Sequence, residues 1–597
     1  MNTSIKDLTP HCVFCNVISQ CYVKFVDNGS YSCYIQCKSN KLGTQLCFRE
    51  RGFGLCDLIH VQLYSKGLNR PRNPFRSFKV RLDPTDPSLL SMMKRWVNDC
   101  SKSHEQCAHP GHGFTPTRLM HLAEGDMHYS RLSSPTCPVR FAALSYCWGT
   151  SAQSKTLKSN LLDRYDHLDI SSLPRTLQDA CFVTRALGLE YIWIDSLCIV
   201  QDDEHEWAEE SSKMRDIYSS AHVVMAATFA QDCAEGFLSQ RAAPLAIKFG
   251  QPDKIPFEVQ ARLNDSHQCP LKTYNTTYAL FKRGWCMQER FLARRVVHFL
   301  PHELLFECQS SQICECGERP PPQDRHGLRG RKAFRTLFST RSPDKLPGMR
   351  FGHLWSEVIH EYHSLKLTYT DDTLPALSGV ARSVEHLGPG KYIAGLWERD
   401  IAYQLGWRLQ KYEMYSSQVK HQPWHPVTPT FSWISCLNAV DFGAFPGLLW
   451  ETRPICTLES SRVVLATADP HGRVRHASIY MRGLFIPGIE LVLYVRQEHL
   501  SSYNSPRLRL DSGIELTSRE PFEVEGQCEQ LKSARPWTFA VCLGLYKSVY
   551  GNKDAKVTAL LLASNADSNN YIRIGIIDGL PDSWFQDHAS EGTFNIV

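Results

Sequence analysis

Three short stretches hold the side chains best suited to chemistry. RGWCMQER (Arg283–Arg290) carries one carboxylate, Glu289, on what reads as the start of a helix. FAALSYCWGT (Phe141–Thr150) and YIWIDSLCIVQ (Tyr191–Gln201) are apolar runs that end in small, polar and aromatic residues. Ser145, Tyr146, Trp148 and Gly149 close the first, and Asp195 lies in the second. Short apolar runs of this kind suit strands covered on both faces, and open α/β sheets bind ligands at the carboxyl ends of their strands. The three stretches are therefore expected to meet at one cleft. Each residue also has a plainer reading. Glu289, beside Arg290 and Arg294, suits a surface ion pair. Asp195, between Ile194 and Ser196, would be buried and in need of a partner, so a structural anchor accounts for it as well as a reactive group does. Trp193 and Trp285 suit a core. Cys198 and Cys286 suit packed thiols, because no sequence neighbour lowers their pKa.

Soft-metal binding is the other chemistry available. Of 23 cysteines, seven fall within residues 1–60: Cys12, Cys15, Cys21, Cys33, Cys37, Cys47 and Cys56. Cys12-x2-Cys15 and Cys33-x3-Cys37 have spacings that zinc sites use, yet a symmetric pair of CxxC knuckles is missing. Buried free thiols in a small β-rich segment are the alternative. Cys100-x3-His104-x2-Cys107 follows a helix-patterned segment, Pro87–Cys100. Its fourth ligand is not evident, Cys137 is a candidate, and simple packing of a helix end is again the alternative. No residue is assigned to a metal on spacing alone. The chain has no GxxxxGK[ST], no GxGxxG after a strand, no HExxH and no GxSxG, which removes the simplest P-loop, dinucleotide-binding, zinc-protease and α/β-hydrolase readings.

The elements that must position these residues follow from periodicity. After the strand at Phe141–Tyr146 comes an amphipathic helix at Pro174–Leu189, with Leu177, Cys181, Thr184 and Leu187 on one stripe. Tyr191–Ile199 is the next strand, Gln201–Glu204 caps a second helix, and His222–Thr228 is a third strand. Strand, helix, strand, helix, strand is the pattern of a doubly wound parallel sheet. Residues 229–282 read as an insertion or lid, 295–300 and 303–308 as a closing strand pair. The division expected is a Cys-rich region (1–60), a linker and helix (61–135), the α/β domain (136–310), a basic, proline-containing linker (311–350) and a C-terminal α+β region (351–597). Apolar content of 43% and charged content of 21% are ordinary for a folded chain. A net charge of +5 in 597 residues argues against nucleic acid as the main partner. No stretch is long and apolar enough to span a membrane, and MNTSIKDLTPHC has no signal-peptide pattern. The expected location is the cytoplasm, with thiols reduced.

FAALSYCWG, LPRTLQDA, YIWIDSLCIVQDD, EWAEESSKMRDIYSSA and RGWCMQERFLARRVVHF together resemble the heterokaryon-incompatibility (HET) domain of filamentous fungi, over about residues 141–300. CSKSHEQC upstream and WSEVIHEYHSLKLTYTDDTLPALSGVA downstream resemble the segments that flank it. Phe306 departs from the tryptophan usual in the family. The HET domain is in turn similar to TIR domains. The resemblance implies a flavodoxin-like (TIR-like) parallel sheet and a role in non-self recognition and regulated cell death. It makes Ser145-Tyr146 the end of the first strand and Trp285-Cys286-Met287-Gln288-Glu289 the WCxxE motif, whose glutamate is essential in TIR enzymes that cleave NAD. On that footing Glu289 is the candidate catalytic residue. Ser145, Tyr146, Trp148, Gly149, Asp195, Arg283 and Trp285 are the candidates for holding NAD: tryptophans to stack on its rings, Gly149 to let backbone N–H groups approach a phosphate, and Arg283 to pair with the pyrophosphate or with Glu289. NAD would be substrate, with no resident cofactor. The partners implied are other incompatibility or immune-receptor-type proteins and further copies of the chain. A non-enzymatic module that signals by assembly is the rival expectation.

Overall fold

The computed structural model describes residues 2–4, 13–25, 33–40, 43–50, 58–65, 80–108, 114–123, 125, 128–249, 257–263, 278–317, 329–340, 342, 351–409, 428–436, 440–442, 450–487, 489–492, 507–510, 523–526, 540–550, 555–564 and 570–597. The chain divides into two compact units, Met1–Leu328 and Arg329–Val597.

The first unit opens with β1 (Asn2–Ser4), α1 (Val13–Phe25), β2 (Cys33–Asn40), β3 (Gly43–Glu50) and β4 (Leu58–Ser65). There follow α2 (Pro87–Ser103), β5 (Leu119–Leu122), β6 (Tyr129–Ser133), β7 (Phe141–Ser145), α3 (Leu161–Asp166), β8 (Leu168–Asp169), α4 (Arg175–Ala186), β9 (Tyr191–Trp193), α5 (Asp195–Cys198), α6 (Glu204–Ser220) and β10 (Val223–Ala226). The unit closes with β11 (Leu245–Phe249), β12 (Phe257–Leu263), α7 (Gly284–Leu292), β13 (Arg295–Phe299), β14 (Leu304–Cys308) and β15 (Gln312–Cys314).

Its central sheet runs β15-β14-β13-β10-β7-β9-β5-β6-β8. The middle strands β13, β10, β7 and β9 are mutually parallel, and the strands on either flank pair antiparallel. The sheet order of the parallel strands, β9-β7-β10-β13, starts at β7 and reverses direction there. All residues of β7, β10 and β13 are buried, as continuous apolar strands between two helical layers require. The helices are set by local signals. Asp86 accepts from the backbone N–H of Ser88 ahead of Pro87 in α2, and Asp203 accepts from His205 and Glu206 N–H at the start of α6. Leu177, Ala180, Cys181 and Thr184 form the buried stripe of α4.

Three features differ from the sequence reading. The strand expected over Tyr191–Ile199 stops at Trp193, and Asp195–Cys198 turns into the short helix α5, which places Asp195 just beyond the strand end. β5 and β6 precede residue 136 yet extend this sheet, so the fold reaches upstream of the expected boundary. Residues 229–282 contribute β11 and β12, which complete a second sheet, β1-β2-β3-β4-β12-β11, rather than a lid. The N-terminal cysteines belong to this layer. Cys21 packs with Val17, Ile18, Val61 and Val259 in its core, while Cys12 and Cys56 lie outside the described residues. Arg262 of β12 joins the two layers: it donates to Gln62 Oε1 at 2.9 and 2.6 Å and pairs with Glu303 at 3.1 Å.

In the second unit, the span read as a basic linker contains a helix, Arg329–Ser339. Ala333, Phe334 and Leu337, at helical spacing among the arginines, are its buried side. Strands Val474–Ile486, Ser590–Ile596, Asn570–Pro581, Lys556–Ser564 and Ala540–Tyr550 pair in succession, and the last pairs back with the first, closing a five-stranded barrel. Trp355, Trp397 and Trp433 are fully buried in this unit. Among the described residues no helix is long and apolar enough to cross a membrane.

One polar cluster fixes α7 in the first unit. Glu307 of β14 has no solvent exposure. It accepts a fork from Arg290 (Nε 2.9 Å, Nη2 3.1 Å), 2.7 Å from Gln312 Nε2, and meets His298 Nε2 at 3.1 Å. Gln309 donates to the carbonyls of Phe291 and Ala293 at 3.1 and 2.8 Å, which satisfies the C-terminal end of α7. Glu307→Ala is expected to cost about 3–5 kcal/mol, because it strands a buried guanidinium. Replacing both partners with Met should recover a large part of that loss, measured by denaturant unfolding.

Candidate functional site

Ser145 is the last residue of β7, and its register partner on β10 is Ala226, which in turn faces His298 on β13. α7 lies over this end of the sheet. It is buried around nearly its whole circumference, from Cys286 to Leu292, which is why no amphipathic stripe announces it. Its Glu289 is 7% exposed and receives a short hydrogen bond from the Ser145 hydroxyl, Oγ to Oε2. The surface ion pair expected from its neighbours does not form. Arg290 is committed to Glu307, and Arg294 donates to the carbonyl of Ser219 at 2.7 Å.

Arg283, at the N-cap of α7, donates from Nη1 to the carbonyl of Tyr146 at 2.6 Å. Tyr146 bridges to a second cluster, because its hydroxyl donates to Ser196 Oγ at 2.9 Å. Beside it Asp195 accepts from Trp148 Nε1 at 2.9 Å and from the Ser196 N–H at 2.7 Å. Asp195 is thus the partnered, partly buried carboxylate that its neighbours in sequence demand. Ser145, Glu289, Arg283, Tyr146, Trp148 and Asp195 come together at the carboxyl ends of β7 and β9.

Other members sit differently. Trp285 is partly buried and meets Trp207 edge to face, with ring centroids 6.4 Å apart. Trp193 is core, fully buried and edge-on to Tyr218 at 5.5 Å. Gly149 has φ +71° and does make the tight turn. The amides it was expected to free for a phosphate are already taken. Asp232 Oδ2 accepts from Thr150 N–H at 2.7 Å and Ser151 N–H at 2.9 Å, while Oδ1 accepts from Ala234 N–H at 2.9 Å. A Cβ on residue 149 would overlap the Asp232 carboxylate, so glycine is needed for the protein's own anion. Asp232 went unnoticed in the sequence because it lies in the irregular stretch after β10. The acid-and-glycine turn DCAEGF is the signal that could have found it. Asp179 of α4 holds the same turn from below, accepting from Phe237 and Leu238 N–H at 2.8 and 3.0 Å.

The electrostatics separate the carboxylates. Burial raises Glu289 from 4.5 to about 7. The Ser145 hydrogen bond and Arg283 oppose the rise, and Asp195 adds to it. Burial also raises Asp195, against the hydrogen bonds from Trp148 and Ser196. The three backbone amides around Asp232 hold it well below the usual carboxylate range. Burial pushes the Cys198 thiol up to about 12 and holds Cys286 well above the usual thiol value, so neither is a ready nucleophile. The arrangement offers one carboxylate poised near neutrality next to a hydroxyl, a guanidinium and an indole. That set can stabilise a developing positive charge or exchange a proton.

The family described as Heterokaryon incompatibility protein (HET) matches residues 141–289, the span from the start of β7 to Glu289. Heterokaryon incompatibility protein 6, OR allele, of Neurospora crassa is 36% identical over 95 residues. That similarity covers 15% of this chain, and the chain spans only 14% of the relative's length. No solved structure matches the chain. The chain therefore carries a HET domain, as its five sequence blocks led us to expect.

The raised carboxyl has a thermodynamic consequence. Protonation stabilises the fold below the usual value of 4.5, and that stability is lost as pH rises through about 7. Glu289→Gln keeps an acceptor for Ser145 and removes the titration. The variant should match the native protein near pH 4 and exceed it at pH 8 by on the order of 3 kcal/mol. Paired unfolding curves across that range check this.

Proposed function

From the HET domain at residues 141–289 we propose a protein of fungal non-self recognition and regulated cell death whose domain cleaves NAD. The observation that carries this reading is the position of Glu289: buried at the carboxyl ends of the parallel strands, hydrogen-bonded to Ser145, and free of any ion pair among the described residues. The strand order β9-β7-β10-β13, with its reversal at β7, supports the flavodoxin-like, TIR-like architecture that the reading assumes.

The reaction breaks the bond between ribose C1′ and the nicotinamide nitrogen. The pyridinium takes the bonding pair and departs neutral, so no acid need assist it. Water adds to C1′ and releases one proton, which gives ADP-ribose and nicotinamide. The protein must stabilise the ribosyl cation that develops between these events. The Glu289 carboxylate serves electrostatically, and the ribose 2′- and 3′-hydroxyls replace Ser145 as its hydrogen-bond donors. Arg283 and Asp195 orient the sugar and the pyrophosphate, and Trp148 offers an indole face already capped by Lys155, 5.0 Å from the ring centroid. With Thr150 and Ser151 N–H committed to Asp232, the phosphates draw on Arg283 rather than on the Gly149 loop.

A second reading rests on the enclosure of Glu289. With 7% exposure and a hydroxyl already bonded to it, the carboxylate has a complete structural role without substrate. The domain then signals by assembly with other copies or with other incompatibility proteins.

Nicotinamide release by the concentrated full-length protein separates the two. Catalysis requires ionised Glu289, so the rate should climb as pH passes about 7 and fade below it. Glu289→Gln, which is expected to stay folded, should lower the rate about 10²–10³-fold. Turnover equal in both proteins would move the chemistry elsewhere. No turnover from either, at any concentration at which the protein assembles, would leave the assembly module.

A further inference from the structure

Sequence spacing supplied three soft ligands, Cys100, His104 and Cys107, and left the fourth open. Cys137 is exposed and not part of the group. The fourth member is Cys308, at the end of β14: the three sulfurs and one imidazole nitrogen lie within 4.8 Å of one another. We propose that Cys100, His104, Cys107 and Cys308 bind one zinc ion that clamps the segment upstream of the HET domain to the far edge of its sheet.

Local structure explains the convergence. Cys100 is in the last turn of α2. His104 is its C-cap, with its N–H on the Cys100 carbonyl at 3.1 Å, and residues 105–107 make a tighter turn that carries Cys107 back towards the helix axis. Cys308 begins the tight turn between β14 and β15. Cys100, Cys107 and Cys308 are each at most 2% exposed. His104 Nδ1 lies 3.4 Å from Cys308 Sγ. A tetrahedral zinc with bonds of about 2.3 Å to sulfur and about 2.0 Å to nitrogen needs its ligand atoms roughly 3.5–3.8 Å apart. With every pair within 4.8 Å and the His104–Cys308 pair already at 3.4 Å, side-chain adjustments of up to about 1 Å meet that.

The surroundings are built for thiolates. The backbone N–H groups of Ser310 and Ser311 point at Cys308 Sγ, at 3.4 and 3.2 Å, and the Ser311 hydroxyl is 3.3 Å away. Ser310 Oγ lies 3.8 Å from Cys107 Sγ. Arg295 is 2% exposed and has no carboxylate partner among the described residues. Its Nη1 reaches Cys100 Sγ at 3.9 Å and the Cys107 carbonyl at 2.9 Å. A buried guanidinium needs a counter-charge. Three thiolates, a neutral imidazole and a divalent zinc sum to one negative charge, which Arg295 balances. Four protein ligands leave no open position, so the site is structural and not a source of activated water. It lies in unit one, clear of Glu289 and the groups bonded to it, and does not depend on the proposed NAD chemistry.

Metal analysis of the full-length protein, purified without chelator, tests this. The expected result is one zinc per chain, X-ray absorption showing three sulfurs and one nitrogen, and a cobalt-substituted form with tetrahedral d–d bands and thiolate charge transfer. Cys308→Ser should lose the zinc, whereas His104→Cys should keep it and shift the ligand set to four sulfurs. Absence of zinc overturns the proposal. So does zinc that persists unchanged in Cys308→Ser, which would place it at other cysteines, or a disulfide between any two of the three thiols in the native protein. If Cys308→Ser is insoluble, the native ligand count and His104→Cys still decide.

Discussion

A carboxylate with no access to water must receive its hydrogen bonds from the protein, and Glu307 is where this chain meets that demand most fully. Four donor groups from three different elements converge on it. Because Arg290 and Glu289 are adjacent on α7, locking Arg290 into Glu307 sets the rotation of the helix and so aims Glu289 at the end of β7. Burying such a pair gains little net stability over an apolar core. What it supplies is a single allowed orientation, since any rotation of α7 would strand a buried charge.

The same arrangement explains why Glu289 is costly to keep. The helix that carries it is buried nearly all round, so the carboxylate has one hydroxyl and one nearby guanidinium in place of water. Its raised pKa is the signature of that deficit. Perturbed carboxylates cluster at functional sites because a fold selected for stability alone would place an apolar or amide side chain there. Asp232 shows the opposite solution within the same domain: three backbone amides surround it, and it remains ionised with no strain on the fold.

Much of the parallel core was legible in the sequence. β7, β9 and β10 are short apolar runs, and a buried parallel strand leaves no other signature. α4 and α6 declared themselves by stripe and cap. The meeting of Ser145, Glu289 and Asp195 at one rim followed from strand polarity. What escaped has a common cause. Asp232 over Gly149, Glu307 under Arg290 and Cys308 beside Cys107 are each defined by a partner distant along the chain, 204 positions from His104 in the case of Cys308, and local spacing carries no trace of tertiary proximity. The basic stretch read as a linker failed for a different reason. Its arginines dominated the composition, while the three apolar positions that make Arg329–Ser339 a packed helix were diluted among them.

The second sheet of the first unit has a consequence for how the molecule is made. β4 ends at Ser65, and the strand that covers its edge, β12, begins at Phe257, with three of the four parallel strands, β7, β9 and β10, encoded between them. At about 5–20 residues per second on the ribosome, that edge stays uncovered for roughly 10–40 s. An unpaired edge is a template for the wrong partner. The nascent N-terminal layer must therefore be shielded, or remain unformed, until the centre of the HET domain has emerged. The strand that completes the N-terminal layer is thus synthesised only after the centre of the neighbouring sheet.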